Sequence, residues 1–378
     1  MSTLLRAGPV LVLALLAALA LEPQVASTAR AGEKALGPDP KEVQAVLDKA
    51  VGYFQAHQEA DGGFSSKRAG PGVTALVAAA LLRNGVGPKQ PVVAKALGTL
   101  AKSAKSDGGI YDQSLANYTT SVAIMAFKEA NTDGRYDALL KNAAKFIKGL
   151  QQGGDPKDGK FGGFGYDGKS RPDLSNSNFS VEALLAAGVP KDDPAIQRAL
   201  KFISRCQNLA GEFNDQEFAK KASKDDLGGM VYNPLDPDDE RHLTPEGGLR
   251  SVGGMTYGGL KSFLYAGVDK TDKRVEAAVA WIRKHYTLEE NPGMKQAGLY
   301  YYYHTFGKAM AALGEDRFAD AAGKKHDWRR ELFQALKSRQ QADGSWRNAG
   351  DQTFAEADPN IATAFAVLSL SYCEVSKR

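Results

Sequence analysis

One phrase recurs along this chain and limits what it can fold into. A segment ending in Gln runs into Asp-Gly-Gly, or a close variant, and then an aromatic residue. The clearest copies are Gln58-Glu59-Ala60-Asp61-Gly62-Gly63-Phe64 and Gln341-Ala342-Asp343-Gly344-Ser345-Trp346. Ser106-Asp107-Gly108-Gly109-Ile110-Tyr111, Gly162-Gly163-Phe164, Asp226-Leu227-Gly228-Gly229-Met230 and Gly298-Leu299-Tyr300 are weaker ones. Six copies at this spacing signal a repeat architecture, in which each unit buries its apolar face against its neighbours.

Each copy leads into an apolar segment rich in small residues, with helices expected to begin near Thr74, Thr120, Ser177, Thr256, Tyr303 and Thr363. In the first five, Gly85, Asn131, Gly188, Gly267 and Gly314 follow eleven residues on, where a left-handed cap belongs. Amphipathic segments precede the phrases: Lys41–His57, the stretch around Val92–Ala101, Tyr136–Gln151, Pro194–Gln207, Lys273–His285 and His326–Gln340. Their apolar residues recur at three- and four-residue intervals, as on a helix with one wet face. Small, apolar inner helices alternating with amphipathic outer ones predict an all-α α/α toroid of six helical hairpins. An open superhelix is the alternative, but neither terminal repeat reads as a polar cap.

Residues 1–31 read as a secretory signal: Arg6, then an apolar run from Pro9 to Leu21, then Ala29-Arg30-Ala31. The run is shorter than the ~20 residues a membrane span needs, and no later stretch is long enough. Export to a periplasmic or extracellular compartment is expected, with 32–40 as a linker and 41–378 as one toroid domain. Residues 210–250 are an insertion before the fourth inner helix, rich in charge, Gly and Pro. The net charge of +4 falls to about +3 without 1–31, too balanced for a nucleic-acid partner. Export permits a bridge between Cys206 and Cys373; the simpler reading is two small core residues. GxGxxG before a helix, P-loop, HExxH and GxSxG strings are absent, which removes support for nucleotide-dependent, zincin and common Ser-hydrolase chemistry. No cofactor is indicated.

The Gln-x-x-Asp-Gly-Gly/Ser-Phe/Trp phrase resembles the repeat of squalene and hopene cyclases and of protein prenyltransferase β subunits. The resemblance covers about residues 41–375. It implies that Gln58, Phe64, Gln341 and Trp346 brace neighbouring hairpins, and that the ring centre suits an elongated apolar, isoprenoid-type ligand. Tyr302-Tyr303-His304-Thr305 is similar to the Tyr-His-Thr whose His ligates zinc in those transferases. The matching positions for the Asp and Cys ligands hold Gly254 and Thr256, so no catalytic zinc is expected. Asp236-Pro237-Asp238-Asp239 resembles the Asp-x-Asp-Asp that supplies the proton in hopene-type cyclases, and also reads as a solvated acidic turn.

From the residues alone, Tyr300 to Tyr303 with His304 form the most unusual run. Four tyrosines cannot all lie on one buried helix face, so some should reach the mouth of the ring. The catalytic candidates are His304 and Tyr257, with Asp238 and Asp239 as acids. Tyr302, Tyr303, Thr256, Asn178 and Thr120 are candidate ligand contacts, forming a polar rim over an apolar floor. Three functions stay open: an isoprenoid-binding toroid, with or without catalysis; a polysaccharide lyase-like enzyme using Tyr/His and a cation such as Arg250 or Lys261; and a non-catalytic interaction ring.

Overall fold

A computed structural model describes residues 35–234, 242–351 and 353–375. The proposed signal segment 1–31 and the acids Asp238 and Asp239 lie outside the described residues. Among the described residues, twelve long helices alternate between two concentric rings. The outer ring holds α1 (Pro40–His57), α4 (Pro91–Lys102), α6 (Asp137–Gly149), α8 (Pro194–Arg205), α11 (Lys273–Lys284) and α13 (Trp328–Lys337). The inner ring holds α3 (Pro71–Arg83), α5 (Ala116–Ala130), α7 (Leu174–Ala186), α10 (Gly253–Tyr265), α12 (Leu299–Leu313) and α14 (Pro359–Leu370). Two single-turn helices, α2 (Ser66–Ala69) and α9 (Glu217–Lys220), and a two-stranded hairpin, β1 (Phe318–Ala319) with β2 (Lys325–His326), occupy connections.

The inner helices pack in cyclic order α3, α5, α7, α10, α12, α14 and back to α3, so the ring closes. Composition explains the sorting. The central ten residues of α3, Gly72 to Leu81, are all buried, whereas α6 buries only Leu140, Ala143, Ala144 and Ile147 on one stripe. The predicted all-α α/α toroid of six hairpins is the observed fold.

The repeated phrase works as a joint between units. The Gln58 amide donates to Gly62 O (3.0 Å) and to Val92 O of the next outer helix (2.8 Å). Gln151 and Gln207 do the same, reaching Ala195 O and Arg274 O, each at 2.8 Å. In the last unit Gln340, not the expected Gln341, reaches Val46 O of α1 at 2.9 Å. Gln340 is the residue that keeps the Gln-x-x-Asp-Gly register. The sixth joint therefore clasps the first outer helix, which is the closure made by hydrogen bonds.

The hydroxyls expected at helix starts are the fourth or fifth residue of the inner helices, because those helices begin earlier than predicted. They are tethers rather than caps. Thr74, Thr120, Ser177, Thr256 and Thr363 accept from the backbone N–H of Phe64, Ile110, Phe164, Met230 and Trp346, at 2.9–3.0 Å. Asn131 also departs from expectation. Its φ is −85°, and its side chain instead binds Tyr136 N and Asp137.

The first glycine of each phrase shows why the residue type recurs. Gly162 has φ +85°, and a Cβ there would stand 2.1 Å from Arg198 O in α8. Gly188 has a similar φ of +88° but nothing within 4 Å. Gly162→Ala is expected to destabilise by roughly 2–3 kcal/mol, the left-handed penalty plus a backbone clash. Gly188→Ala should cost only roughly 1 kcal/mol. Urea midpoints of the two variants check this; equal losses would mean that the close approach to α8 carries no cost.

Candidate functional site

The lumen is identified by contacts that cross it. Helices α7 and α12 are not neighbours in the ring, since α10 stands between them. Yet Phe179 of α7 faces Tyr301 of α12 (6.2 Å between ring centres), and Glu182 of α7 binds Lys308 of α12. The lumen-facing residues of α12 are Tyr301, His304 and Lys308, one stripe at three- and four-residue spacing.

At the end where the inner helices start, the lumen is aromatic. Tyr118 of α5 meets Phe179 edge-on at 4.9 Å. Tyr301 packs on Phe365 of α14 (5.7 Å) and under Phe354 of the 347–358 connection (5.4 Å), and its hydroxyl pairs with Ser175 at 3.1 Å. Two buried carboxyls hold this end together. Burial pushes Glu356 up to about 7, although it accepts from Tyr301 N at 2.7 Å. Burial likewise pushes Asp173 up to about 6 while it caps α7 through Asn176.

Two turns further in, the lumen carries charge. Lys261 of α10 donates to Glu182 Oε2 at 2.8 Å, and Lys308 donates to Oε1. All three side chains are under 10 % exposed. Burial opposes ionisation of Glu182, but the two ammonium groups overcome it and hold the carboxyl below its usual range. Burial brings Lys308 down to about 8, against the pull of Glu182. The His304 ring is buried beside them, 5.8 Å from Phe365; burial and then the Lys308 charge keep it neutral. The order is thus the reverse of the expected polar rim over an apolar floor: the rim is aromatic and the floor is charged. The cavity here holds only about 20 Å³. Two larger hollows are open depressions: one of about 580 Å³ between the α5–α6 and α7–α8 hairpins, and one of about 500 Å³ over the ends of α7, α10 and α12.

Among the sequence candidates, His304 and Asn178 reach the lumen. Asn178 accepts from Ser262 there at 3.1 Å. Tyr257 does not join His304. It packs on Tyr302 and Phe306, and Phe306 in turn touches Trp328 of the outer ring, so Tyr257 lies between the rings. Tyr302 and Tyr303 also turn away, donating to Thr287 O and Leu288 O at 2.6 Å. Thr256 and Thr120 are spent as tethers. All four tyrosines are buried, contrary to expectation, because the helix packs on every side and only Tyr301 faces the lumen. Phe179, Glu182 and Lys308 were not anticipated. A single charge inside an otherwise apolar helix was the available signal, since such a charge must be paired.

The zinc positions do not fit a metal. Thr256 Oγ1 is engaged by Met230 N and Val252 O, and Gly254 faces the Tyr301 ring without a donor. Among the described residues no group of three His, Cys, Asp or Glu could hold an ion. Elemental analysis of the purified protein is expected to return no stoichiometric zinc. One zinc per chain, lost in His304→Ala, would contradict this. Cys206 and Cys373 are buried free thiols.

Lys308 sets a pH dependence. Its native pKa of about 8 lies below the ordinary lysine value. Above pH ~8 the native state releases a proton that the unfolded chain still holds, so stability rises with pH toward ~10. Urea midpoints at pH 7.5 and 9.5 in chloride-free buffer should show the rise, and Lys308→Met should flatten it.

Known proteins share this architecture. The squalene-hopene cyclase C-terminal domain family matches residues 67–224. The type II terpene cyclase MstE from Scytonema superposes with a TM-score of 0.51 at 14% identity, covering 88% of this chain and 98% of that one. A polysaccharide lyase (TM-score 0.55, 12% identity, 88% and 96% covered) and a D-mannose isomerase (0.54, 12%, 88% and 97%) superpose as well. No curated protein matches in sequence. The chain has the α/α toroid fold that these proteins share, and residues 67–224 resemble the cyclase family. At these identities the superpositions speak for the fold alone.

Proposed function

We propose that this protein is an exported toroid that holds an elongated apolar chain of isoprenoid type against the aromatic wall of its lumen. The observation that carries this reading is the convergence of Tyr118, Phe179, Tyr301 and Phe365 from four inner helices, with Phe354 stacked on Tyr301. Aromatic faces pack well on alkenes and attract positive charge developing on them. The likeness to a terpene cyclase in fold and to a cyclase family model agrees with it.

The packing sets a condition on entry. Pockets for ligands of this size enclose roughly 300–1,000 Å³, far more than the central 20 Å³. The ligand must therefore displace Phe354 with its connection and part the rings beneath. Glu182, held ionised by two lysines, is a poor acid; a protonation step would fall instead to the raised carboxyls Glu356 or Asp173 at the aromatic end, or to Asp238 or Asp239.

Native mass spectrometry with farnesol and geranylgeraniol tests the reading. One saturable ligand per chain is expected, with at least a tenfold loss in Phe179→Ala. Absence of saturable binding by the folded protein would reject it. Export is tested separately, by N-terminal sequencing of secreted material, which should begin after Ala31.

A further inference from the structure

The charged floor of the lumen has an unbalanced count. Glu182 faces two lysines, each giving one donor to one of its oxygens. Lys261 has a second acceptor in Asn178 O at 3.3 Å. Lys308 has the single carboxylate oxygen, and Lys261 and Arg83 crowd it with like charge. One positive charge is therefore left over in a place 3 % exposed. An isolated buried cation is costly unless an anion or a set of dipoles answers it.

The surroundings show where that answer goes. His304 is 2 % exposed and its Nδ1 has no hydrogen-bond partner. It lines the same 20 Å³ cavity as Glu182, Lys308, Arg83 and Phe179. That volume accepts about one water-sized sphere. Neutral imidazole can carry its proton on either ring nitrogen and donate from the one that faces the cavity. The cavity is lined by Lys308, Arg83, Glu182 and Glu129, and Lys261 also pairs with Glu182, so three cations meet two carboxylates; that one surplus charge, an imidazole N–H and the apolar wall of Phe179 and Leu76 favour a weakly hydrated monovalent anion over water. Access exists at the end where the inner helices finish. There Arg83 of α3 pairs with Glu129 of α5 at 3.2 Å, with their side chains 34 % and 41 % exposed. The pair itself is weak, and Arg83 also lies over the Tyr372 ring (5.0 Å), so entry requires Arg83 to swing off both.

We propose that the lumen floor binds one small monovalent anion, of chloride or bromide size, between Lys308 and His304, entering past the Arg83–Glu129 pair. The site adjoins the aromatic wall through Phe179 but needs no isoprenoid: it rests on Lys308, His304 and the charge count, so halide binding and isoprenoid binding can fail separately. The anion completes the charge count that Glu182 leaves open, and it couples the stability of the ring to the halide around it.

Urea unfolding at constant ionic strength tests the proposal, with sodium gluconate replaced stepwise by sodium chloride or bromide. Gluconate is too large for the cavity. A saturable rise of the midpoint in the millimolar range is expected for wild type. It should vanish in Lys308→Met, which leaves Glu182 and Lys261 as a neutral pair, and weaken in His304→Phe. Bromide-soaked crystals of the wild type should show one anomalous peak beside the Lys308 ammonium, a readout that needs no variant to fold. Superimposable curves in chloride and gluconate would overturn the proposal. So would a response that never saturates and is shared by Lys308→Met, or bromide crystals with no peak at that position.

Discussion

Glu182→Gln is expected to cost the fold about 3–5 kcal/mol, the loss typical of breaking a buried ion pair from one side. The substitution is nearly isosteric, so packing hardly changes. What changes is that the Lys261 and Lys308 ammonium groups face each other with no carboxylate between them. Urea unfolding at pH 7 would show the loss as a lower midpoint at similar slope. A triple replacement, Glu182→Leu with Lys261→Met and Lys308→Met, should recover most of it, because apolar residues of similar volume often match or exceed a buried ion pair. A Glu182→Gln loss below about 1 kcal/mol would mean that the lysines shed their protons or their burial instead.

Trp346→Ala is expected to cost a similar amount, roughly 3–5 kcal/mol, for a different reason. Its indole is fully buried, and Nε1 donates to Leu336 O at 2.8 Å in the last outer helix. Its backbone N–H is tethered to Thr363 of the last inner helix. Truncation opens a large cavity where the sixth hairpin locks and removes one donor from Leu336 O, which keeps its bond from Arg339 N–H. Trp346→Phe should fall between, losing the hydrogen bond and part of the volume. Leu227→Ala is the control: that side chain is 55 % exposed, and its loss should stay within about 0.5 kcal/mol. If Trp346→Ala matched that control, the last phrase would not be what closes the ring.

The architecture was legible because it is written in local chemistry repeated six times. The outer stretch read as Lys41–His57 is the helix Pro40–His57, and Lys273–His285 is Lys273–Lys284, since a one-sided apolar stripe and a capping Asp before it are local signals. The Gln and Gly of the phrase recur because each must meet the next unit's backbone, and only a ring lets the sixth meet the first. The site was far less legible. Helix α12 is buried on all sides, so periodicity carries no sign of which stripe faces the lumen and which faces the outer ring. That is why Tyr257, Tyr302 and Tyr303 read as mouth residues, while Tyr301 alone among the four tyrosines turns inward. The charges at 182, 261 and 308 lie on three different helices, and sequence distance says nothing about their meeting. Ring closure brings them to one point, and in a buried lumen the cost of an unpaired charge decides that they meet.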